Sequence, residues 1–152
     1  MSNILVRPVA HSDVPWLLDQ LRTFDAFFNT KYSLLPSEAA AHVMLTDWID
    51  HPEQYPFWVA VHHDTPVGFI AGVMHPHFYQ RSLTCFTELL WWVVPEYRST
   101  SAAYTLLAQF VTYGRAHAQW ITMVLGTRTP VKSTTLQRMG FQLRETNFLL
   151  EV

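Results

Sequence analysis

The chain has 152 residues, of which 49% are apolar, and this fits a single domain spanning residues 1–152 with a substantial core. The net charge of −2, with scattered lysine and arginine, argues against a protein that binds nucleic acid through a basic surface. No apolar run approaches the roughly 20 residues that cross a bilayer, and the N-terminus lacks signal-peptide features. We therefore expect a cytoplasmic protein with no membrane partner. The single cysteine excludes an intrachain disulfide.

The first part of the chain predicts one strand and two helices. Ile4 to Pro8 favours β structure, and apolar residues at helical spacing then predict a helix to about Phe28, capped by Ser12. A second helix is predicted to begin at Ser37 and to end before Pro52.

The middle of the chain predicts a hairpin followed by a long strand. Residues 57–62 and 67–75 are predicted to form two strands of a hairpin, joined by a polar turn at residues 63–66. After a polar loop, residues 84–94 form the next predicted strand.

The last third of the chain predicts two more helices and further strands. A helix is predicted from Ser101 to near residue 119, a strand at 120–125 and a short helix at 131–139. Residues 141–143 and 148–152 are predicted as closing β structure. The order β α α β β β α β α β predicts an α/β fold. Its sheet is mixed and mostly antiparallel, contains a parallel strand pair and is flanked by helices.

A strand, a tight turn and a helix follow one another between residues 88 and 107. Six consecutive apolar residues end at Pro95, and a polar turn then precedes the helix. This turn consists of Arg98, Ser99, Thr100 and Ser101. Such a turn offers successive backbone N–H groups at a helix N-terminus, where the helix dipole favours an anion. We therefore expect it to bind a phosphate.

The segment VVPEYRSTSAAYTLL resembles the acyl-CoA signature of the GNAT acetyltransferase superfamily. That signature is a strand ending in V-x-P, then Arg/Gln-x-x-Gly-x-Gly/Ala and a leucine-rich helix. Arg98 stands at its Arg/Gln position, Ser101 at its first Gly and Ala103 at its second Gly/Ala. LQRMGF, residues 136–141, is similar to the family's closing segment, and the WWV-P style resembles acetyltransferases encoded in bacteriophage genomes. The resemblance covers essentially the whole chain.

This resemblance implies a GNAT-like sheet whose parallel strands splay apart, with acetyl-CoA as the cofactor. The edge of residues 90–94 would pair with the pantetheine amides, and the turn would bind the pyrophosphate. Ser101 replaces the family's glycine, and we expect helical backbone angles there, at which serine is unstrained. Thr129 stands where the family often carries an asparagine. The implied cofactor residues are Trp92, Val93, Val94, Arg98, Ser99, Thr100, Ser101, Ala102, Ala103 and Thr129.

Glu88 is the candidate general base, because an amine must attack the thioester as the free base. It matches a position where many family members carry a glutamate in that role. Strand alternation would place it on one face with Phe86, Leu90 and Trp92, where desolvation would raise its pKa. Alternatively, Glu88 pairs with an arginine or ends the strand. The family's usual tyrosine acid is replaced by Leu136, which leaves the proton donor to the thiolate unidentified.

The implied reaction is acetyl transfer from acetyl-CoA to a primary amine of a small molecule or protein, by direct attack in a ternary complex. Phe28 and Tyr32 lie where the family's first two helices shape the acceptor site. The alternative is a catalytically silent protein that binds acyl-CoA or a protein partner, since the signature glycine and the closing tyrosine are missing. The apolar residues 148–150 could supply an edge for a homodimer.

Eight histidines raise the question of a metal site. His75 and His77 have strand spacing, but Pro76 interrupts them and no nearby cysteine or carboxylate completes a ligand set. We therefore expect no metal and place these histidines in a loop beside the acceptor groove. Cys85 is expected to be a small buried residue rather than a nucleophile.

Overall fold

The computed structural model describes residues 3–28, 33, 35, 37–126, 129 and 131–152. One sheet contains the strands β1 (Ile4–Pro8), β2 (Phe57–His62), β3 (Thr65–Pro76), β4 (Thr84–Val93) and β5 (Trp120–Thr122). The helices are α1 (Val14–Phe28), α2 (Glu38–Asp50), α3 (Ala102–His117) and α4 (Ser133–Arg138). Two 3-10 turns, His11–Asp13 and Pro95–Tyr97, precede α1 and α3.

The sheet order is β1-β2-β3-β4-β5, with three antiparallel pairs and one parallel pair, β4 with β5. The parallel ladder joins only Cys85 to Trp120, Phe86 to Ile121 and Thr87 to Thr122. β4 continues beyond this ladder to Val93, so the two strands separate after Thr87. This arrangement confirms the predicted α/β fold with a mixed sheet, a splayed parallel pair and flanking helices.

Helices pack on both faces of the sheet. On the first face, called the α3 face, sheet residues including Ile70 and Phe86 form one buried cluster with Phe110 of α3. On the second, called the α1 face, Phe69 and Trp92 form a separate cluster with residues of α1 and α2. The site described below lies where β4 passes between these two layers.

One bulge interrupts the pairing of β4 with β3. Ala71 pairs with Leu90 and Gly72 pairs with Glu88, so Leu89 has no partner on β3. A bulge of this kind places one extra residue in the strand and reverses the alternation of side chains beyond it.

The bulge decides which face Glu88 shares. Phe86 lies on the α3 face, and Glu88, two residues later and before the bulge, lies on that face too. Beyond the bulge, Leu90 and Trp92 pack on the α1 face. The prediction that Glu88 shares a face with Phe86 is confirmed. The prediction that it shares one with Leu90 and Trp92 is wrong, because the extra residue Leu89 reverses the alternation between Glu88 and Leu90.

Gly72 lies opposite Glu88 at a point with no room for a side chain. A Cβ there would lie 2.8 Å from the ring of Phe110 and closer still to that of Phe86. These two rings are fully buried and stack with centroids 4.1 Å apart. We expect Gly72→Ala to lower the free energy of unfolding by about 1–3 kcal/mol through overpacking, as measured by urea denaturation.

The double variant Gly72→Ala, Phe86→Leu serves as the control for this effect. Shortening Phe86 removes the nearest obstacle, so the two substitutions should cost less together than the sum of their separate effects. Overpacking would be contradicted if the losses of unfolding free energy in the two single variants simply added up in the double variant. It would also be contradicted if Gly72→Ala were as stable as the wild type.

Local sequence signals are confirmed at two other places. Ser37 caps α2, since its side chain accepts a hydrogen bond from Ala40 N at 3.0 Å. The predicted hairpin turn contains His63 and Asp64 at φ of 47° and 64°, in the left-handed region that such tight turns require. Among the described residues, no helix combines the length and apolarity needed to cross a bilayer.

Three boundary predictions are wrong. Ser12 lies inside the turn before α1 and does not cap that helix. β5 ends at Thr122 rather than near residue 125. Residues 141–143 and 148–152 are not strands, although their composition favours β structure. The side chains of Leu143 and Phe148 are 81% and 94% exposed. A β-favouring segment with no apolar layer to pack against gains little from strand formation, because β propensity largely reflects such packing.

Candidate functional site

A cleft opens between β4 beyond Thr87 and the chain beyond Thr122. Val94 N donates to Val67 O at 3.0 Å, which turns the main chain of Val94 toward β3. Because main-chain direction alternates along a strand, the N–H and C=O groups of Trp91 and Val93 face the opposite way, into the cleft. The cleft therefore has an open strand edge along one wall.

Glu88 lies at the closed end of this cleft. Its carboxylate is half-buried and accepts a long hydrogen bond of 3.5 Å from Val124 N, on the other side of the cleft. Burial raises the pKa of Glu88 to about 7, and the hydrogen bond from Val124 only partly opposes this. The expected desolvation of Glu88 is thus present in the structure. A carboxyl group with this pKa can both take up and release a proton near neutral pH.

The other end of the cleft leads to the turn before α3. Thr100 Oγ1 donates to Tyr97 O at 2.6 Å and accepts from Ala102 N at 3.2 Å. The first α-helical hydrogen bond runs from Thr105 N to Ser101 O, at 2.9 Å. The N–H groups of Ala103 and Tyr104 therefore precede the helical ladder, and such groups favour an anion.

Ser101 has the helical backbone angles expected for it. Its φ is −73° and its ψ is −2°, so serine replaces the signature glycine without strain. The hydroxyl group caps no helix N–H, a role that Thr100 fills instead.

A comparison with profiles of known protein families identifies the family to which this chain belongs. The profile described as Acetyltransferase (GNAT) family matches residues 19–141 of the 152. The chain belongs to this GNAT family. A search of curated protein sequences found no significant match.

Solved structures share the fold across almost the whole chain. A GNAT family acetyltransferase of Staphylococcus aureus is 18% identical with a TM-score of 0.70, and each chain covers 100% of the other. A predicted acetyltransferase of Clostridium acetobutylicum, solved with acetyl-CoA, is 14% identical with a TM-score of 0.71, and 98% of this chain and 95% of that chain are covered. Glucosamine-6-phosphate N-acetyltransferase from Arabidopsis thaliana is 6% identical with a TM-score of 0.75, and 98% of each chain is covered. At these identities the likeness shows the GNAT fold.

In this GNAT domain, Arg98 folds back along the strand that precedes it. Its Nε donates to Val93 O at 3.0 Å, and its guanidinium carbon lies 4.7 Å from the ring centroid of Trp92 and 5.8 Å from that of Phe27. The positive charge therefore lies at the end of β4, on the α1 face. The guanidinium group of Arg98 thus lies between the edge of β4 and the C-terminal end of α1.

The side chain of Trp92 packs in the core and does not face the cleft. Its ring is buried between Phe24 and Phe27, at centroid distances of 5.9 and 5.7 Å, and its Nε1 donates to Gln20 Oε1 at 3.1 Å. Its main chain faces β3 by the same alternation that turns Val93 toward the cleft. The structure thus brings Val93 to the cleft, while Trp92 holds α1 against β4.

The remaining predicted site residues are Ser99, which is exposed in the turn before α3, and three further groups. Ala102 is fully buried in the core under the turn, and Ala103 is half-buried. Thr129 is half-buried, and its N donates to Gly126 O at 3.0 Å. Phe28 is the last residue of α1, but its side chain, like the whole of Tyr32, lies outside the described residues.

Trp91, Thr87 and His75 also lie near the cleft. The sequence predicted Trp91 only as part of the strand edge 90–94 and did not single out Thr87. His75 was expected in a loop beside the acceptor groove and lies instead on β3. Trp91 contributes main-chain groups to the open edge, a role set by the hydrogen-bond register of β4 with β3. His75 Nε2 lies 2.8 Å from Thr87 Oγ1. This pairing depends on the register of β3 with β4, which no local sequence pattern specifies.

The histidines near this end of the sheet have separate partners. His77 Nδ1 lies 3.3 Å from both Tyr79 N and Gln80 N, while its ring contacts Trp120. Within the described ranges, no three His, Cys, Asp or Glu side chains are arranged to hold a metal ion. Cys85 is buried as expected, and burial raises the pKa of its thiol, which disfavours the nucleophilic thiolate.

Proposed function

We propose that this protein transfers an acetyl group from acetyl-CoA to a primary amine by direct attack in a ternary complex. The observation that carries the proposal is the position of Glu88, whose carboxyl group has a pKa of about 7 at the closed end of a cleft with an open strand edge. Membership of the GNAT family supports acetyl-CoA as the acetyl donor.

The chain offers two kinds of groups that fit coenzyme A. The main-chain N–H and C=O groups of Trp91 and the N–H group of Val93 match the amides of the pantetheine arm, as a neighbouring strand would, while Val93 O already accepts a hydrogen bond from Arg98 Nε. N–H groups of Ala103 and Tyr104, together with the polar turn before α3, match the pyrophosphate. When bound, acetyl-CoA would supply an acetyl group activated as a thioester.

Glu88 would serve as both base and acid. As the new C–N bond forms, the attacking nitrogen becomes acidic and Glu88 can take up its proton. Since its pKa of about 7 keeps the protonated form available at neutral pH, Glu88 can then pass this proton to the departing sulfur. A separate acid is then not required. This matters because the buried Leu136 occupies the position of the family's tyrosine.

We expect acetyl-CoA to bind with micromolar affinity, corresponding to about −8 kcal/mol. At a concentration 1,000-fold above Kd, binding should stabilise the folded protein by about 4 kcal/mol and raise Tm accordingly. Calorimetry and thermal denaturation would measure the two effects, with adenosine as a control that lacks both phosphates and pantetheine. Absence of both heat and stabilisation would reject the cofactor site.

A catalytically silent acyl-CoA-binding or interaction module is the second candidate. The observation that favours it is the apolar, buried Leu136 at the position of the usual acid. Release of the coenzyme A thiol in the presence of a broad amine panel separates the two functions. The acceptor class, the homodimer, the cytoplasmic location and the likeness to phage-encoded acetyltransferases stay predictions.

A further inference from the structure

We propose that Thr87 and His75 form a proton relay that deprotonates the acceptor amine from the α1 face of the sheet, opposite Glu88. The inference rests on the proposed acetyl transfer and adds a second acid–base group to it. Thr87 is the group that would touch the amine, and His75 acts through it as a positioning residue and proton acceptor.

The hydrogen bonds of His75 specify its tautomer. Its Nδ1 lies 3.0 Å from Pro76 O, and a carbonyl oxygen can only accept, so Nδ1 carries the hydrogen of the neutral ring. Nε2 is then an acceptor, and the hydroxyl group of Thr87 donates to it at 2.8 Å. A hydroxyl group is thus hydrogen-bonded to a base whose ring is itself oriented by a third group.

The relay lies at the closed end of the cleft. Thr87 pairs with Thr122 in the last rung of the β4–β5 ladder, and Glu88 follows it directly. Phe86 faces α3, so Thr87 lies on the opposite face of the sheet, with His75 beside it on β3. Two acid–base groups therefore lie on opposite faces of the sheet where the β4–β5 ladder ends. Both Thr87 and His75 are half-exposed, which lets His75 exchange protons with water.

The reaction needs two proton acceptors because a protonated amine must lose two protons in becoming an amide. Thr87 Oγ1 accepts the first proton from the ammonium group while its own proton moves to His75 Nε2. The neutral nitrogen then attacks the thioester carbon, its C–N bond forms, and the C–S bond breaks with its electron pair remaining on sulfur. Glu88 transfers the second nitrogen proton to that sulfur, and His75 releases the first to water.

Steady-state kinetics of Thr87→Val, Thr87→Ser and His75→Gln would test the relay. Valine has the shape of threonine without its hydroxyl group, so Thr87→Val should lower kcat by about 10- to 100-fold while the KM for acetyl-CoA is unchanged. Thr87→Ser keeps the hydroxyl group and should restore most of the rate. His75→Gln should resemble Thr87→Val, and the double variant should be no slower than either, because the two residues act as one unit.

Nitrogen NMR of histidine gives a readout that does not require activity. The wild-type protein should show His75 with hydrogen on Nδ1 and an Nε2 signal that shifts in Thr87→Val. An unaltered kcat in Thr87→Val, multiplicative losses in the double variant, or hydrogen on Nε2 instead of Nδ1 would each overturn the relay alone. A wild-type protein that keeps the NMR signature yet acetylates no amine would overturn the proposed function, and the relay's catalytic role with it.

Discussion

Glu88→Gln is expected to lower kcat by about 100-fold or more, with little change in the Kd for acetyl-CoA. Glutamine keeps the shape of the side chain but can neither take up nor release the proton. Because Glu88 lies at the closed end of the cleft, away from the turn before α3, cofactor binding should be preserved. Stopped assays of thiol release would give kcat, and calorimetry would give Kd.

The pH dependence gives a sharper test of the same residue. In the wild-type protein, kcat/KM should rise with pH through about 7, as Glu88 loses the proton that burial helps it to hold. Glu88→Gln should remove this limb of the profile. Glu53→Gln provides the matched control, since it removes an equal charge from an exposed position outside the cleft. A profile that is the same in Glu88→Gln and wild type would exclude Glu88 from proton transfer.

Glu88→Gln should also remain folded and become more stable above neutral pH. The carboxyl pKa is about 7 in the folded protein, against 4.5 for an ordinary glutamate, so the folded state binds more protons than the unfolded state between these limits. The free energy of unfolding of the wild type therefore falls as pH rises from 4.5 to 7. At pH 8, glutamine should avoid this penalty and stabilise the fold by about 1–3 kcal/mol. Loss of activity in a more stable protein separates catalysis from folding.

Except for the closing strand, the order of helices and strands could be predicted because each depends on local periodicity and on residues at its ends. Ser37 caps α2 through a hydrogen bond within the first turn of that helix, and His63 with Asp64 forms the hairpin turn expected between the two predicted strands. The bulge at Leu89 could not be predicted in this way. It is defined by the pairing of β4 with Gly72, whose lack of a side chain accommodates a buried pair of aromatic rings from other elements.

In the candidate site too, residues close in sequence could be predicted together, whereas contacts between distant residues could not. Glu88 and the turn before α3 lie within one continuous segment, so a sequence motif could predict that both belong to the site. His75 and Thr87 are twelve residues apart and meet only through the register of two strands. The assignment of Arg98 to the cofactor stays a prediction, and the contacts of its side chain with Val93 O and the ring of Trp92 were not specified by the motif. Contacts between distant residues are what the sequence patterns leave open.

Ser101→Asp should raise the Kd for acetyl-CoA by about 100-fold while leaving the protein folded. A carboxylate at this position lies beside the N–H groups that are proposed to bind the pyrophosphate, and at about 4 Å two like charges repel by about 4 kcal/mol at an effective dielectric constant of 20. Salt screens part of this repulsion. In the protein without cofactor, the same charge interacts favourably with the α3 dipole, which adds about 0.3–1 kcal/mol of stability.

Two further variants show whether the effect is specific to this turn. Ser133→Asp places the same charge at the first residue of α4, so it controls for the change in net charge. Ser101→Gly restores the signature residue, and because Ser101 already has helical angles, we expect its Kd to stay within about threefold of the wild type. Calorimetry at several salt concentrations would compare the variants. Equal affinity in Ser101→Asp and Ser133→Asp would mean that the pyrophosphate binds elsewhere, since a charge at its binding site cannot be neutral toward it.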